Sequence, residues 1–329
     1  MSCYKPLRGI LLGELEGKKR IKVVPYDSIE VFDSSGKEYE SFPLPCGHCV
    51  GCRQDQAKEW SNRLLMESLY HDECYFVTLT YDNNHARFVD FVNPRTGQFF
   101  PKKSMHQATL CKKDIQDFMK RLRRAFPKDK CRFYAAGEYG GHTFRPHYHL
   151  ILFGLHIKKD EFIPFGKSET GNQYFVLPKL QELWTFGFSS IEPANEYTFK
   201  YCANYVTKKL GIHPNKYYTD QGLDPPFSLM SRKPGIGAQY LIDHPEIMDN
   251  DRIVIGTPRG SYEFCPPRYF KKSFKEVFPD KYQEHVSVGA KASEDRIAAI
   301  EKKTGLGYTD YLKVPEQVAV AKLNRRDKV

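Results

Sequence analysis

The chain has 329 residues, of which 40% are hydrophobic and 14% aromatic, and a formal net charge of +10. These values predict a globular protein with a packed core, and the lack of an apolar run near the roughly 20 residues of a membrane span excludes a membrane-spanning helix. The basic excess favours an anionic partner, nucleic acid above all, because lysine and arginine release counterions when they contact phosphates.

The first residues, MSCYKPLRGI, lack the apolar core of a signal peptide, so we expect a cytoplasmic protein without a membrane partner. The phosphate-binding pattern GxxxxGK followed by Ser or Thr does not occur. We therefore expect no nucleotide cofactor, and any DNA unwinding would need a separate motor protein.

The N-terminal part of the chain changes character twice. Residues 1–45 carry no strong period and end in the Pro-rich FPLPC, which predicts a loop-rich or short-stranded segment. Residues 53–71 place apolar side chains at helical spacing and predict an amphipathic helix. Residues 73–82, ECYFVTLTYD, alternate and are rich in β-branched and aromatic side chains, which predicts a strand.

Three cysteines, Cys46, Cys49 and Cys52, recur with two residues between them. In a chain without a secretion signal, such a cluster favours a metal or reduced thiols over disulfides. Zinc needs a fourth ligand, and Cys3 or His48 would provide it. We predict a structural zinc site; an iron–sulfur cluster is the weaker alternative, because the bacterial ferredoxin run has a fourth cysteine that is absent here.

A second helix is predicted near residues 110–126, with one buried apolar stripe and a basic flank. Residues 102–132 hold eleven Lys or Arg against three Asp. A cluster of this kind is typical of a nucleic-acid contact or of a solvated basic face. The candidate DNA-binding residues are Lys120, Arg121, Arg123, Arg124 and, further along the chain, Arg145.

Residues 131–140 and 145–154 predict two strands joined by a turn at a Gly-Gly pair, and hence a hairpin. Successive side chains of a strand point to opposite faces, so His147 and His149 share one face. The hairpin would bring Glu138 of the first strand close to these histidines.

Two imidazoles and one carboxylate supply three metal ligands and leave positions open for a phosphate. Glu138, His147 and His149 are therefore the candidate ligands. Mixed ligation of this kind suits Mn²⁺ or Mg²⁺. The alternative is a pair of partly buried histidines satisfied by hydrogen bonds.

A third helix is predicted over residues 196–210, EYTFKYCANYVTKKL. At about 100° per residue its apolar side chains form one stripe, whereas Tyr201, Tyr205 and Lys208 fall on the opposite side. Tyrosines outside the apolar stripe are candidate nucleophiles, although a solvated tyrosine face is the alternative. A phenol with a pKa of about 10 needs a nearby cation, which Lys208 or the metal would provide.

Beyond the third helix, Pro, Gly and aromatic residues dominate, as in SRKPGIG at 231–237. This composition predicts an irregular C-terminal region that closes with one helix around 311–325.

The His-hydrophobic-His strand followed by a tyrosine helix resembles the HUH endonucleases. The pattern YxxxYVxKK, together with the segments CGHCxxCR, GEYGxxxxRPHYH and SRKPGIG, resembles the replication initiation proteins of small single-stranded DNA phages, microviruses of the gokushovirus branch. The likeness spans about residues 3–240.

The order of the predicted elements indicates an α+β fold with an antiparallel central sheet and flanking helices. The resemblance implies the palm-like topology of rolling-circle nucleases. We expect an N-terminal Cys-rich segment and helix at 1–70, an HUH nuclease core at 71–212 and an appended region at 213–329.

The resemblance also implies the activity: a metal-dependent, site-specific single-stranded DNA endonuclease and strand transferase that initiates rolling-circle replication. Tyr201 or Tyr205 would attack the origin phosphate and become linked to the 5′ end, and the free 3′-OH would prime synthesis. The second tyrosine would cut after one circuit, without ATP. The implied partners are origin DNA and the helicase and DNA polymerase of a bacterial host, in whose cytoplasm the protein would act.

Asn204 stands where this family usually has Lys or Arg, so Lys200 or Lys208 would have to contact the phosphate instead. The family's first motif ends near FVTLTYD. Thr78 and Thr80 would therefore contact DNA, support the site or serve as ordinary strand residues.

Two other functions fit the same sequence. An HUH transposase or mobilisation relaxase would share the chemistry but act on other DNA ends. A non-catalytic, zinc-stabilised protein would bind single-stranded nucleic acid through basic and aromatic side chains and never cut it.

Overall fold

The computed structural model of the chain describes residues 3–15, 18–32, 35–36, 38–93, 96–141, 143–167, 173–208, 214–249, 252–257, 260–277 and 279–326. The strands in chain order are β1 (Leu7–Leu15), β2 (Lys18–Pro25), β3 (Ser41–Leu44), β4 (Cys74–Tyr81), β5 (Arg87–Val89), β6 (Phe91–Val92), β7 (Phe99–Phe100), β8 (Gln107–Thr109), β9 (Arg132–Tyr139), β10 (Pro146–Phe153), β11 (Ile163–Lys167), β12 (Gln173–Val176), β13 (Gly187–Pro193), β14 (Phe227–Met230), β15 (Ile253–Thr257) and β16 (Gly260–Phe264). The helices are α1 (Val50–Ser68), α2 (Lys112–Ala125), α3 (Pro178–Leu183), α4 (Glu196–Lys208), α5 (Pro214–Thr219), α6 (Ala238–Asp243), α7 (Arg268–Val277), α8 (Pro279–Thr304) and α9 (Tyr308–Arg326).

The chain divides into two compact units. Unit 1 comprises Met1–Gln56 and Lys271–Val329, and unit 2 comprises Ala57–Phe270. Unit 1 contains an antiparallel sheet of β2, β1 and β3 with β1 in the middle. Helices α8 and α9 contact each other in the same unit.

The expectation of a loop-rich or short-stranded segment over residues 1–45 is wrong, because β1 and β2 are 9 and 8 residues long. In β2, Val24 is buried, whereas Ile21 and Val23 on the other face are exposed. Apolar side chains on both faces remove the alternation by which a half-buried strand is recognised.

The expectation of an irregular C-terminal region is also wrong for residues 268–304. Helix α7 and the 26-residue α8 lie there, ahead of the predicted final helix, which is α9. Most described side chains of α8 are exposed. A helix that is polar nearly all round has no apolar stripe to predict it.

Unit 2 is built on a mixed arrangement of helices around an antiparallel sheet, which confirms the predicted α+β class. Among the described residues this sheet has seven strands in the order β11-β12-β13-β4-β10-β9-β14, and we call it the large sheet. All of its neighbouring strands run antiparallel. Among the described residues, no helix combines the length and apolar character that crossing a membrane requires.

The two faces of the large sheet have different partners. Leu79 of β4 and Leu150 of β10 belong to a buried cluster with Ile115 and Phe118 of α2, so α2 covers one face. On the other face, α4 packs against β9 and β10, and Phe153 lies 6.3 Å from Phe199 between ring centroids. We call this second face the histidine face, because strand parity places His147 and His149 on it.

Candidate functional site

The hairpin of β9 and β10 has the predicted register. His147 lies opposite Glu138, and His149 lies opposite Ala136 two positions further in. Tyr148 between them points into the core on the α2 face. The alternation predicted from the sequence is therefore confirmed, and both histidines project with Glu138 from the histidine face.

Three potential metal ligands converge at this point. His147 Nε2 lies 2.8 Å and His149 Nε2 3.3 Å from Glu138 Oε1. One donor atom from each of the three residues lies within 4.8 Å of the other two. Glu138 and His149 are buried and His147 is half-buried, so the cluster reaches solvent on one side.

The other nitrogen of each imidazole is also held. His147 Nδ1 donates to the backbone carbonyl of Arg145 at 3.1 Å, because a carbonyl can only accept. His149 Nδ1 lies 3.1 Å from Thr78 Oγ1. These contacts orient the rings so that each Nε2 can offer its lone pair to a cation, as outer partners do in metal sites.

The electrostatics of the cluster favour a negative Glu138 beside a neutral His149. Burial by itself raises the pKa of Glu138, but the hydrogen bonds from His147 and His149 outweigh burial and hold this pKa below its ordinary value. Burial also lowers the pKa of His149. A deprotonated carboxylate and a neutral imidazole are the forms that bind metal ions.

Tyr201 lies over this cluster. Its ring centroid is 5.4 Å from that of His149 and 5.8 Å from that of Phe76, both in edge-on contact. Tyr201 is 46% exposed, whereas Phe199, Cys202 and its neighbour Ala203 are buried under α4. The predicted division of this helix into an apolar stripe and a tyrosine side is confirmed at these positions.

Burial and the negative charge of Glu138 raise the pKa of Tyr201. The phenol is therefore protonated at neutral pH and needs a cation nearby to act as a nucleophile. The backbone of Tyr205 and Lys208 belongs to α4, one and almost two turns further on, but their side chains lie outside the described part of the structure.

Thr78 and Thr80 both lie on the histidine face, but their hydroxyl groups have different partners. Thr78 contacts His149, as given above, and Thr80 Oγ1 donates to the backbone carbonyl of Phe188 at 3.3 Å. Of the two interpretations made from the sequence, site support fits Thr78 and an ordinary strand role fits Thr80.

The basic side chains predicted to bind DNA lie in two places. Helix α2 carries Lys120, Arg121, Arg123 and Arg124, and it covers the face opposite the histidines. Arg121 Nε donates to the backbone carbonyl of Leu183 at 2.9 Å, which commits this side chain to packing. The α2 residues are not brought to the candidate metal ligands, and a DNA contact by them remains a prediction.

Arg145, in contrast, adjoins the cluster. Its guanidinium group donates to Asn83 Oδ1 at 2.7 Å and to the backbone carbonyl of Tyr81 at 3.0 Å. Its own carbonyl holds His147, as described above. Arg145 therefore ties the hairpin to the end of β4 next to the candidate ligands.

Phe76 and Glu192 share the histidine face and were not anticipated from the sequence. Phe76 stacks on His149 with ring centroids 5.2 Å apart. Glu192 pairs with Phe76 in the β13–β4 register, and burial raises its pKa to about 7. Alternation in FVTLTYD could have placed Phe76, but Glu192 required knowing that β13 neighbours β4.

A second group of potential ligands lies in unit 1. The four thiols of Cys3, Cys46, Cys49 and Cys52 lie within 4.8 Å of one another. The structure thus brings together the sequence-predicted cluster with Cys3 as its fourth member.

Comparison with known proteins supports a role in phage replication. Residues 74–210 match the family model for the replication-associated proteins of the ORF2 type. The chain is 27% identical over 321 residues to Replication-associated protein ORF2 of Spiroplasma virus 4, which covers 95% of this chain and 93% of that protein. No solved structure matches the chain at a significant level.

Two further relatives have similar names. Replication-associated protein VP4 of Bdellovibrio phage phiMH2K is 29% identical over 292 residues, 87% of this chain and 81% of that protein. Replication-associated protein ORF4 of Chlamydia phage 1 is 31% identical over 277 residues, 79% of this chain and 60% of that protein. The resemblance to replication initiation proteins of small phages, predicted from the sequence motifs, is therefore confirmed.

Proposed function

We propose that the protein initiates rolling-circle replication of a microvirus genome by cutting single-stranded DNA at the origin with a tyrosine, as HUH endonucleases do. The observation that carries this proposal is the contact of Tyr201 with His149 above three converging ligand atoms. A candidate nucleophile thus adjoins a candidate cation site, which is the juxtaposition that phosphoryl transfer requires.

The residues present fit a divalent cation such as Mn²⁺ or Mg²⁺. Glu138, His147 and His149 would hold it through one oxygen and two Nε2 atoms, with positions left for phosphate oxygens. When bound, the cation would polarise the scissile phosphate and offset the Glu138 charge that raises the pKa of Tyr201.

The attacking phenolic oxygen of Tyr201, or of Tyr205 one turn on, forms a bond to phosphorus as the bond from phosphorus to O3′ breaks. The phenolic proton is given up and O3′ gains one, so the products are a 5′-phosphotyrosyl bond and a free 3′-OH. The reverse attack by a 3′-OH reseals the strand. Since the phosphodiester is exchanged and not hydrolysed, the reaction needs no ATP, and host helicase and DNA polymerase would supply unwinding and synthesis.

Exposed aromatic rings beside the cluster support a single-stranded substrate. Phe188 lies opposite Thr80, which lies opposite His147, so these three residues share the histidine face. Phe188 is 39% and Phe165 64% exposed, and their ring centroids are 5.0 Å apart. Unpaired bases stack on aromatic rings of this kind.

The proposal is tested by incubating the full-length protein with single-stranded oligonucleotides that tile its own genome, with and without Mn²⁺. We expect a covalent adduct that survives denaturation, forms on one or a few tiles and requires the metal. DNA binding on every tile without an adduct would instead favour the non-catalytic binder. An adduct confined to transposon ends or transfer origins would favour a transposase or a relaxase.

A further inference from the structure

We infer that Cys3, Cys46, Cys49 and Cys52 bind one zinc ion in a closed, four-thiolate site that ties the start of the chain to the start of α1. This site goes beyond the proposed nuclease activity and does not depend on it. All four residues lie in unit 1, outside the large sheet and its histidine face.

The spacing of the sulfur atoms fits a single ion. Cys46 Sγ lies 3.9 Å from Cys52 Sγ, and Cys49 Sγ lies 3.9 Å from Cys3 Sγ. A zinc–sulfur bond of about 2.3 Å places two ligands of a tetrahedral site about 3.8 Å apart. A disulfide would need an S–S distance of about 2 Å, so the thiols are not paired with one another.

The same distances distinguish between the metals left open by the sequence. An iron–sulfur cluster inserts several irons and sulfides between its cysteines and pushes their sulfur atoms apart. Four sulfurs that all lie within 4.8 Å of one another enclose room for one ion. Tetrahedral coordination by four thiolates is typical of zinc.

Backbone N–H groups converge on the sulfur atoms. Cys49 Sγ accepts from the amides of Tyr4 at 3.3 Å and Cys52 at 3.5 Å. Cys46 Sγ accepts from the amide of Cys49, and Cys3 Sγ from that of Cys46, both at 3.3 Å. Such donors stabilise the negative charge of metal-bound thiolates.

Burial assigns the site a structural role. Cys3, Cys49 and Cys52 are buried, and Cys46 is half-buried. Four protein ligands leave no position for water or substrate, in contrast to the three ligands on the histidine face. The bond to Cys3 would close a loop of more than forty residues through β1, β2 and β3 and so lower the entropy of the unfolded chain.

The experiment measures metals in the full-length protein purified without chelator or metal-affinity resin. We expect about one zinc per chain, and release of that zinc by a thiol-blocking mercurial should follow the titration of about four thiols. Cobalt exchange should give the intense visible bands of tetrahedral, thiolate-bound cobalt. Absence of zinc, iron in its place, or release after fewer than four thiols would overturn the inference.

Three single variants identify the fourth ligand. Cys3→Ser should lose most of the zinc, whereas His48→Ala and the matched control Cys265→Ser, at an exposed cysteine of unit 2, should keep it. If Cys3→Ser does not fold, the thiol count and the cobalt spectrum of the wild-type protein still decide the number of thiolates. Full zinc content in folded Cys3→Ser, or its loss in His48→Ala, would contradict the assignment.

Discussion

Glu138 and His147 lie directly opposite each other in the β9–β10 hairpin, with His147 Nε2 2.8 Å from Glu138 Oε1. A slip of one residue in this register would turn Glu138 to the α2 face and leave the histidines without a carboxylate. The hairpin register therefore assembles the candidate metal centre, and the variants below test what each neighbour adds to it.

Glu138→Gln should weaken Mn²⁺ binding by more than about tenfold, because it removes the negative ligand and keeps the side-chain shape. Titration followed by electron paramagnetic resonance measures the free metal. Glu182→Gln, at an exposed position on α3, is the control and should bind like the wild type. Unchanged affinity in folded Glu138→Gln would remove Glu138 from the ligand set.

Thr78→Val should lower Mn²⁺ affinity about tenfold, because the hydroxyl group that orients His149 is lost while the ring remains. Thr80→Val is the matched control on the same strand, since its hydroxyl contacts a backbone carbonyl away from the histidines. Equal losses in both variants would indicate general damage to β4 and would contradict a specific role of Thr78.

Glu192→Gln should stabilise the protein above neutral pH. Burial raises the pKa of Glu192 to about 7, so the folded state favours the protonated acid. Its contribution is fully present below the pKa of the unfolded chain and is lost as pH rises through about 7. The variant stays neutral, so its free energy of unfolding should exceed that of the wild type by about 1–3 kcal/mol at pH 8 and match it near pH 4.

Urea titrations at the two pH values measure this difference, with Glu161→Gln as an exposed control that should show none. A Glu192→Gln variant less stable than the wild type at pH 8 would mean that the carboxylate has a stabilising partner when charged.

Arg145→Ala should slow metal-dependent cleavage, because its side chain fixes the segment whose carbonyl orients His147. Arg124→Ala should leave the cleavage rate unchanged, since α2 covers the opposite face. Single-turnover rates on a cleaved oligonucleotide compare the two. The reverse ranking would place the DNA path along α2 and restore the role predicted for its basic residues.

Phe165→Ala and Phe188→Ala should each weaken binding of single-stranded DNA by about 1–3 kcal/mol if bases stack on this pair. The dependence of affinity on salt should not change, because no phosphate contact is lost. Phe99→Ala, at another exposed phenylalanine outside the large sheet, is the control. Fluorescence anisotropy that shows equal affinities for all three variants would exclude the stacking surface.

The hairpin and its ligands could be predicted from the sequence because the information is local. Strand parity sets the faces of His147 and His149, and a Gly-Gly turn fixes which residues pair. The tyrosine side of α4 followed in the same way from helical periodicity. Each of these patterns depends on neighbours in the chain.

Other parts of the site depend on contacts between distant segments. The contact of Thr78 with His149 required β4 to be the neighbour of β10, and the position of α2 behind the sheet could not be deduced from its own amphipathic pattern. The choice of Cys3 over His48 joins residues 43 positions apart. Long-range packing of this kind leaves no periodic signal in the sequence.

The central claim is that a tyrosine of α4 becomes covalently bound to DNA. Tandem mass spectrometry of the proteolysed adduct measures this directly. The account predicts a 5′-phosphotyrosyl nucleotide on Tyr201 or Tyr205, formed only with Mn²⁺ or Mg²⁺ and absent from the variant with both tyrosines changed to Phe. Cleavage that persists undiminished in that double variant, or a nucleotide attached to another residue, would contradict it.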